Sequence, residues 1–257
     1  MIVAILQARC SSTRLPNKVL KPLLGAPMIR RQIERIKRAK LIDELVVATS
    51  TDPGDDALAN ICNDARIRVF RGSLEDVLDR VYRAAVECAP DYVVRLTADC
   101  PLIDPEVIDD VIRSCQADNC DYSSNGVEPT YPDGLDVEVM RLAVLERAWH
   151  EARLPSEREH VTPYIYRHPE LFTACHVKND VDLSHLRWTV DNAEDFQFVT
   201  RIYNALYPSK PAFVTQDVLA LLELHPDWSE VNRHISRNEG MKKSLLADQQ
   251  EHKVTAK

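Results

Sequence analysis

The sequence predicts an α/β protein with a Rossmann-like, three-layer arrangement: a mostly parallel sheet with helices on both faces. Three observations lead there. Short apolar runs alternate with helix-period segments through the first half of the chain. Those runs are apolar at consecutive positions, as strands covered on both faces require. The links between them are helical, the connection that parallel neighbours need.

Taken in order, Ile2–Gln7 is the first buried strand. Met28, Ile29, Ile33 and Ile36 keep helical spacing, with Arg30, Arg31, Glu34 and Arg35 on the opposite face. Residues 45–48 form the second strand, 55–64 a short helix, and 68–70 the third strand. Ser73 is expected to cap a helix whose apolar stripe is Leu74, Val77, Leu78 and Val81, with Asp76 three residues on in a reciprocal helix-start role. Residues 92–96 make the fourth strand, and Asp104 with Pro105 opens another helix. Residues 121–182 read differently, with prolines at 129, 132, 155, 163 and 169, as an inserted, partly β subregion that covers the site or pairs subunits. Strand character returns over 186–190, with Trp188 as core, followed by a helix over Ala193–Leu206. Residues 211–237 form a helical cap, with its helical pattern over 216–234. One domain is thus expected over 1–237, with 238–257 as a disordered polar tail.

Composition narrows the function. An apolar fraction of 45% in 257 residues supports a sizeable core. No run approaches the ~18 apolar residues of a membrane span. The apolar start ends at Arg9 without a basic leader or cleavage site, so no secretion signal is expected. A net charge of −8 has the wrong sign for coating a polyanion, which excludes nucleic acid as the main partner and leaves any phosphate to a local basic site. Seven cysteines without CxxC pairs read as reduced thiols in a cytoplasm, without zinc.

In parallel sheets ligands gather at the carboxyl ends of strands, here the loops after Ala8, Ala48, Phe70 and Thr97, which brings Thr49, Arg71 and Thr97 into consideration. The first loop is the richest. From Ala8 it carries Arg9, Ser11, Ser12, Thr13, Arg14 and Lys18, with Leu15 and Pro16 between. Hydroxyls and backbone amides donate to phosphate oxygens while the cations neutralise their charge. Neither GxxxxGK[ST] nor GxGxxG occurs there, and a solvated polar loop is the plain alternative. Asp99, after the fourth strand, suits either Mg²⁺ or a turn capping local amides. Asp191 precedes Asn192-Ala193-Glu194-Asp195, a pattern that also caps helices.

The loop A-R-x-x-S-T-R-L-P-x-K resembles the signature of the sugar-activating cytidylyltransferases, the group of the CMP-Kdo and CMP-sialic acid synthetases. Further segments are similar to its SpsF branch: Arg71-Gly72-Ser73 with residues 76–80, Arg95 to Pro101, Tyr131 to Glu138, Glu157 to Thr162, and Arg187 to Asp191. The resemblance covers residues 1 to about 210. It implies a nucleotide-diphospho-sugar transferase (GT-A-like) fold, CTP as nucleotide, and Mg²⁺ on Asp99 and Asp191. The family commonly has glycine where Ala98 stands. Arg71 resembles a residue near the base, with a surface ion pair as its alternative, and Asp79 and Arg80 face either nucleotide or solvent. Asp136, Glu138, Arg158, Glu159 and His160 are candidates for the sugar, His160 also for proton transfer. The implied reaction is in-line attack of a sugar hydroxyl, in the family an acidic 2-keto-3-deoxy sugar, on the α-phosphorus. Arg14 and Lys18 stabilise the charge that develops, and a homodimer is implied as well. Two rivals are a glycosyltransferase, whose DxD spelling occurs at Asp180-Val181-Asp182, and a non-catalytic nucleotide-binding module.

Overall fold

A computed structural model describes residues 1–255. In chain order the strands are β1 (Ile2–Gln7), β2 (Pro22–Leu23), β3 (Ala26–Pro27), β4 (Glu44–Ser50), β5 (Arg68–Gly72), β6 (Tyr92–Thr97), β7 (Tyr122–Ser124), β8 (Glu138–Arg141) and β9 (Ala174–His176). The helices are α1 (Met28–Ile36), α2 (Asp56–Asp64), α3 (Val77–Val86), α4 (Pro105–Ala117), α5 (Leu142–Glu151), α6 (Pro155–His160), α7 (Pro163–Tyr166), α8 (Ala193–Leu206), α9 (Thr215–Leu224) and α10 (Glu239–Thr255). Apart from the small β2–β3 hairpin, the strands form one seven-stranded sheet in the order β5-β4-β1-β6-β8-β7-β9.

The first four strands of that order are parallel, β8 runs against both its neighbours, and β7 and β9 are parallel. Alternate residues of each strand feed two cores. Ala4, Leu6, Val47, Val94 and Val139 meet α1, α2, α4, α8 and α9 on one face. Val3, Ile5, Val46, Val93 and Met140 meet α3, α5 and α7 on the other. The continuous apolar runs are the direct record of this double burial. From β1 the chain proceeds to β4 and β5 on one side, then returns to β6 on the other. The loops after β1 and β6 therefore diverge, which opens a crevice at the carboxyl edge.

The structure corrects several expectations. The 121–182 region, expected as a partly β insert, joins the main fold: β7, β8 and β9 extend the sheet, while α5 and α7 cover its second face. Residues 186–190 form no ladder but a single bridge, Asp133 to Arg187, and Val190 N donates to Asp99 O at 2.7 Å. Helix α3 starts later than expected: Ser73 Oγ accepts from Asp76 N, and Asp76 is the cap, accepting from Asp79 N at 2.9 Å. Arg35 does not lie on an outer face. It is buried and donates to the carbonyls of Ile103, Phe213 and Leu102. The segment taken as a disordered tail is helix α10 over its described part, held by Ser156 N donating to Asp248 Oδ1 at 2.9 Å. Residues 256–257 of that expectation lie outside the described residues.

Candidate active site

The β1 loop owes its shape to a buried acid from the neighbouring turn. Asp55 accepts from Cys10 N at 2.7 Å and from Ser50 N at 3.2 Å. Burial alone would raise its carboxyl, but bonds from Ser50 and Cys10 outweigh that and hold it low. The loop closes where Asn17 N donates to Cys10 O at 3.0 Å. Asn17 then turns left-handed, φ 56°, a conformation Asn tolerates better than most residues. The turn opens a 3-10 segment, Lys18–Leu20, with Lys18 buried.

There Lys18 Nζ donates to Val190 O at 2.8 Å and Asp191 Oδ1 at 2.9 Å, and contacts Asp99 Oδ2 at 3.4 Å. The two far-separated aspartates thus meet, their oxygens no farther apart than those two contacts laid end to end. The place between them is held by an ammonium group, where the sequence reading expected a divalent ion. Arg14 Nη2 lies 2.9 Å from the same Asp191 oxygen, and Arg187 Nη2 lies 3.3 Å from the other. Burial pulls Lys18 down, but Asp99 and Asp191 prevail and its pKa is raised. Burial likewise pushes Asp99 up; Lys18 and bonds from Thr97 and Cys100 outweigh it and bring it to about 2. Both partners are ionised at neutral pH.

Helix capping does not consume Asp191, because Asp195 does that work. Its Oδ2 accepts from Asp191 N and Asn192 N, each at 3.0 Å, at the start of α8. Arg187, which sequence reasoning passed over except as part of a motif, ties this corner together. It binds Asp195 and Asp133 at 2.9 Å each and is itself buried. Asp133 and Asp136 reach the cleft because Gly134, φ 109°, lets their loop run against residues 188–189: a Cβ there would lie 2.5 Å from Thr189 N.

The resulting cleft holds about 520 Å³. Of the expected residues, Ala8, Arg9, Ser11, Ser12, Thr13, Arg14, Lys18, Arg80, Thr97, Asp99, Asp136, Glu138, Glu159, His160 and Asp191 line it. Arg80 is buried at its wall, bound to the carbonyls of Ser73 and Leu74, and burial together with Arg9 lowers it to about 10. Glu138 is held by Tyr122, Thr162 and Arg95. Burial lowers His160, whose Nε2 lies 2.9 Å from Ser244 Oγ of α10. Besides Arg187, sequence reasoning gave no role to Arg95, Asp133 or Arg237, which also line the cleft. Arg95 and Asp133 carried a signal, since both stand inside the quoted motifs.

Four expected residues are placed elsewhere. Thr49 is wholly buried at the end of β4, where no side chain reaches the cleft. Arg71 donates to Ser50 O and Asp52 O and pairs with Asp56, tying β5 to the turn before α2. Asp79 accepts from Trp149 Nε1 at 2.9 Å and from Arg83, joining α3 to α5. Arg158 is clamped on Asp76 and on Trp149 O. The DxD spelling lies in an exposed loop, where Asp182 Oδ1 only accepts from Ser184 N.

Asp99 and Asp191 fit a divalent cation of the Mg²⁺ kind, which takes one or two carboxylates and completes its shell with phosphate oxygens and water. Among the described residues no group of three or more His, Cys, Asp and Glu forms a self-sufficient metal cage. Such a cation would therefore share its shell with substrate.

A family model described as Cytidylyltransferase matches residues 3–232. An uncharacterized protein of Methanocaldococcus jannaschii is 39% identical over 198 residues, covering 76% of this chain and 80% of its own. The spore coat polysaccharide biosynthesis protein SpsF of Bacillus subtilis is 32% identical over 237 residues, covering 88% and 95%. The structure of a cytidylyltransferase from Leptospira borgpetersenii superposes with a TM-score of 0.84 at 31% identity, covering 89% of this chain and 96% of that one. A strand-edge cleft of this kind, in a chain matched over most of its length, makes the protein an enzyme of the cytidylyltransferase family.

Proposed function

We propose that the protein couples CTP to a sugar, an acidic 2-keto-3-deoxy sugar by family likeness, releasing pyrophosphate and forming a CMP-activated sugar for polysaccharide or glycoconjugate synthesis. The observation that carries this reading is the buried Lys18 between Asp99 and Asp191, with Arg14 alongside. Lys18 and Arg14 receive the phosphates, and Arg9, Ser11, Ser12 and Thr13 supply further donors at the mouth of the loop. Positioning and fixed charge are the means of catalysis: Lys18 and Arg14, held at the cleft by Asp99 and Asp191, offset the negative charge that grows on the α-phosphate and leaving group. Mg²⁺ on Asp99 and Asp191 would neutralise phosphate charge and make the sugar hydroxyl more acidic. The sugar is assigned to the side lined by Asp136, Glu138, Glu159 and His160. A cytoplasmic homodimer belongs to the same reading and is checked by light scattering.

The test is a matrix of four nucleoside triphosphates against candidate sugars, read by pyrophosphate release with and without Mg²⁺. CTP with one acidic sugar and Mg²⁺ should stand out. Release of a nucleoside diphosphate from a sugar nucleotide would point to the glycosyltransferase instead.

A further inference from the structure

The family match stops at residue 232, yet the chain continues and packs back on the cleft. Arg237 reaches Asp136 and donates to Tyr131 O at 3.3 Å. Helix α10 then lies along α6, where Ser244 bonds both His160 and Glu159. The buried Asp248 pins it from further along. In the first turn of α10, Glu239 Oε2 accepts from Arg14 Nη1 at 2.7 Å.

Arg14 is a partly exposed cation of the phosphate loop, and its other amino group is already turned to Asp191. A guanidinium fork takes a carboxylate and a phosphate through the same donors. An anion arriving at Arg14 must displace Glu239 or lie against its negative charge. We propose that the C-terminal helix is a strap whose Glu239 competes with the nucleotide's triphosphate for Arg14, so that nucleotide entry and release of the first turn of α10 are linked. The proposal rests on the assignment of Arg14 to phosphates made above. By reciprocity, whatever loosens the strap tightens nucleotide binding by the same factor that nucleotide loosens the strap.

The test is calorimetric titration of the full chain with CTP and Mg²⁺, alongside hydrogen exchange of the amides of residues 242–246, whose acceptors lie in the first turn of α10 and just before it. Two variants are compared with the wild type. Glu239→Gln removes the competing charge, and Asp248→Ala loosens the helix far from Arg14. Both should bind CTP about two- to fivefold tighter, the range for a partly exposed ion pair, and CTP should speed exchange in the wild-type segment. Weaker binding in both variants, or slower exchange with CTP, would overturn the strap and make α10 a closing lid. Tightening by Glu239→Gln alone would reduce the effect to one local charge and also overturn it. If wild type and variants alike bind no CTP, the nucleotide reading of the cleft fails; normal CTP binding with no variant effect removes the strap alone.

Discussion

Lys18 illustrates how one residue organises a cleft. Its ammonium group faces two carboxylates and a carbonyl, so it stays charged despite burial. Lys18→Met would leave Asp99 without its counter-charge and Asp191 with Arg14 and Arg187, and turnover measured by pyrophosphate release should fall about 10²–10³-fold. Lys18→Arg should not restore it, because a planar fork cannot point at three acceptors arranged around a compact ammonium group. Asp99 carries a pH signature. Its native carboxyl, at about 2, lies below the ordinary 3.8, so its stabilising contribution is complete above pH 4 and is lost as pH falls toward 2. That contribution is on the order of 2 kcal/mol. Urea unfolding should show Asp99→Asn less stable by about that amount at pH 7, with the gap closing below pH 4. A gap independent of pH would show that the Lys18 pairing does not hold the carboxyl down.

Elements were legible in the sequence wherever their determinants are local. The helix Ala193–Leu206 is found at the expected residues, and Asp104 caps α4 with Pro105 in its first turn, because caps and apolar spacing act within a few positions. Distance along the chain is what hid the rest. Arg35 follows the polar side of α1 by spacing, but the chain from 101 to 103 and from 211 to 213 folds over it and buries it against three carbonyls. Helix α10 has little amphipathic pattern and owes its place to α6 and the cleft. Within the site, Asp99, Asp191 and the first loop were readable as charge at strand ends. Arg187 and Asp133 showed only as members of quoted motifs, since their roles exist only once each finds the other. Arg35→Met strands those buried acceptors and should cost about 3 kcal/mol in denaturant unfolding. Activity per folded molecule should hold near wild type. A loss below 1 kcal/mol would mean the carbonyls find water instead.

At the scale of the whole molecule, a chain of net charge −8 repels polyanions, while its cleft gathers Arg9, Arg14, Lys18, Arg80 and Arg95 at one edge of the sheet. Anion binding must therefore be short-ranged and shape-selective, governed by the cleft's few cations rather than by the distant field. That separates a nucleotide from a nucleic acid in a single measurement. CTP with Mg²⁺ at about 100 times its dissociation constant should stabilise the fold by about 2.7 kcal/mol. For a chain of this size that corresponds to a rise in Tm of about 5–10 °C. Chelating the divalent ion should shrink the rise, because Asp99 and Asp191 then face the phosphates with only Lys18, Arg14 and Arg187 between them. Single-stranded DNA at the same phosphate concentration should give no shift, since its backbone meets the acidic surface before any phosphate reaches Lys18. Equal shifts from DNA and CTP would mean that loose surface cations bind anions here, and that the buried lysine between its two carboxylates has no part in recognising them.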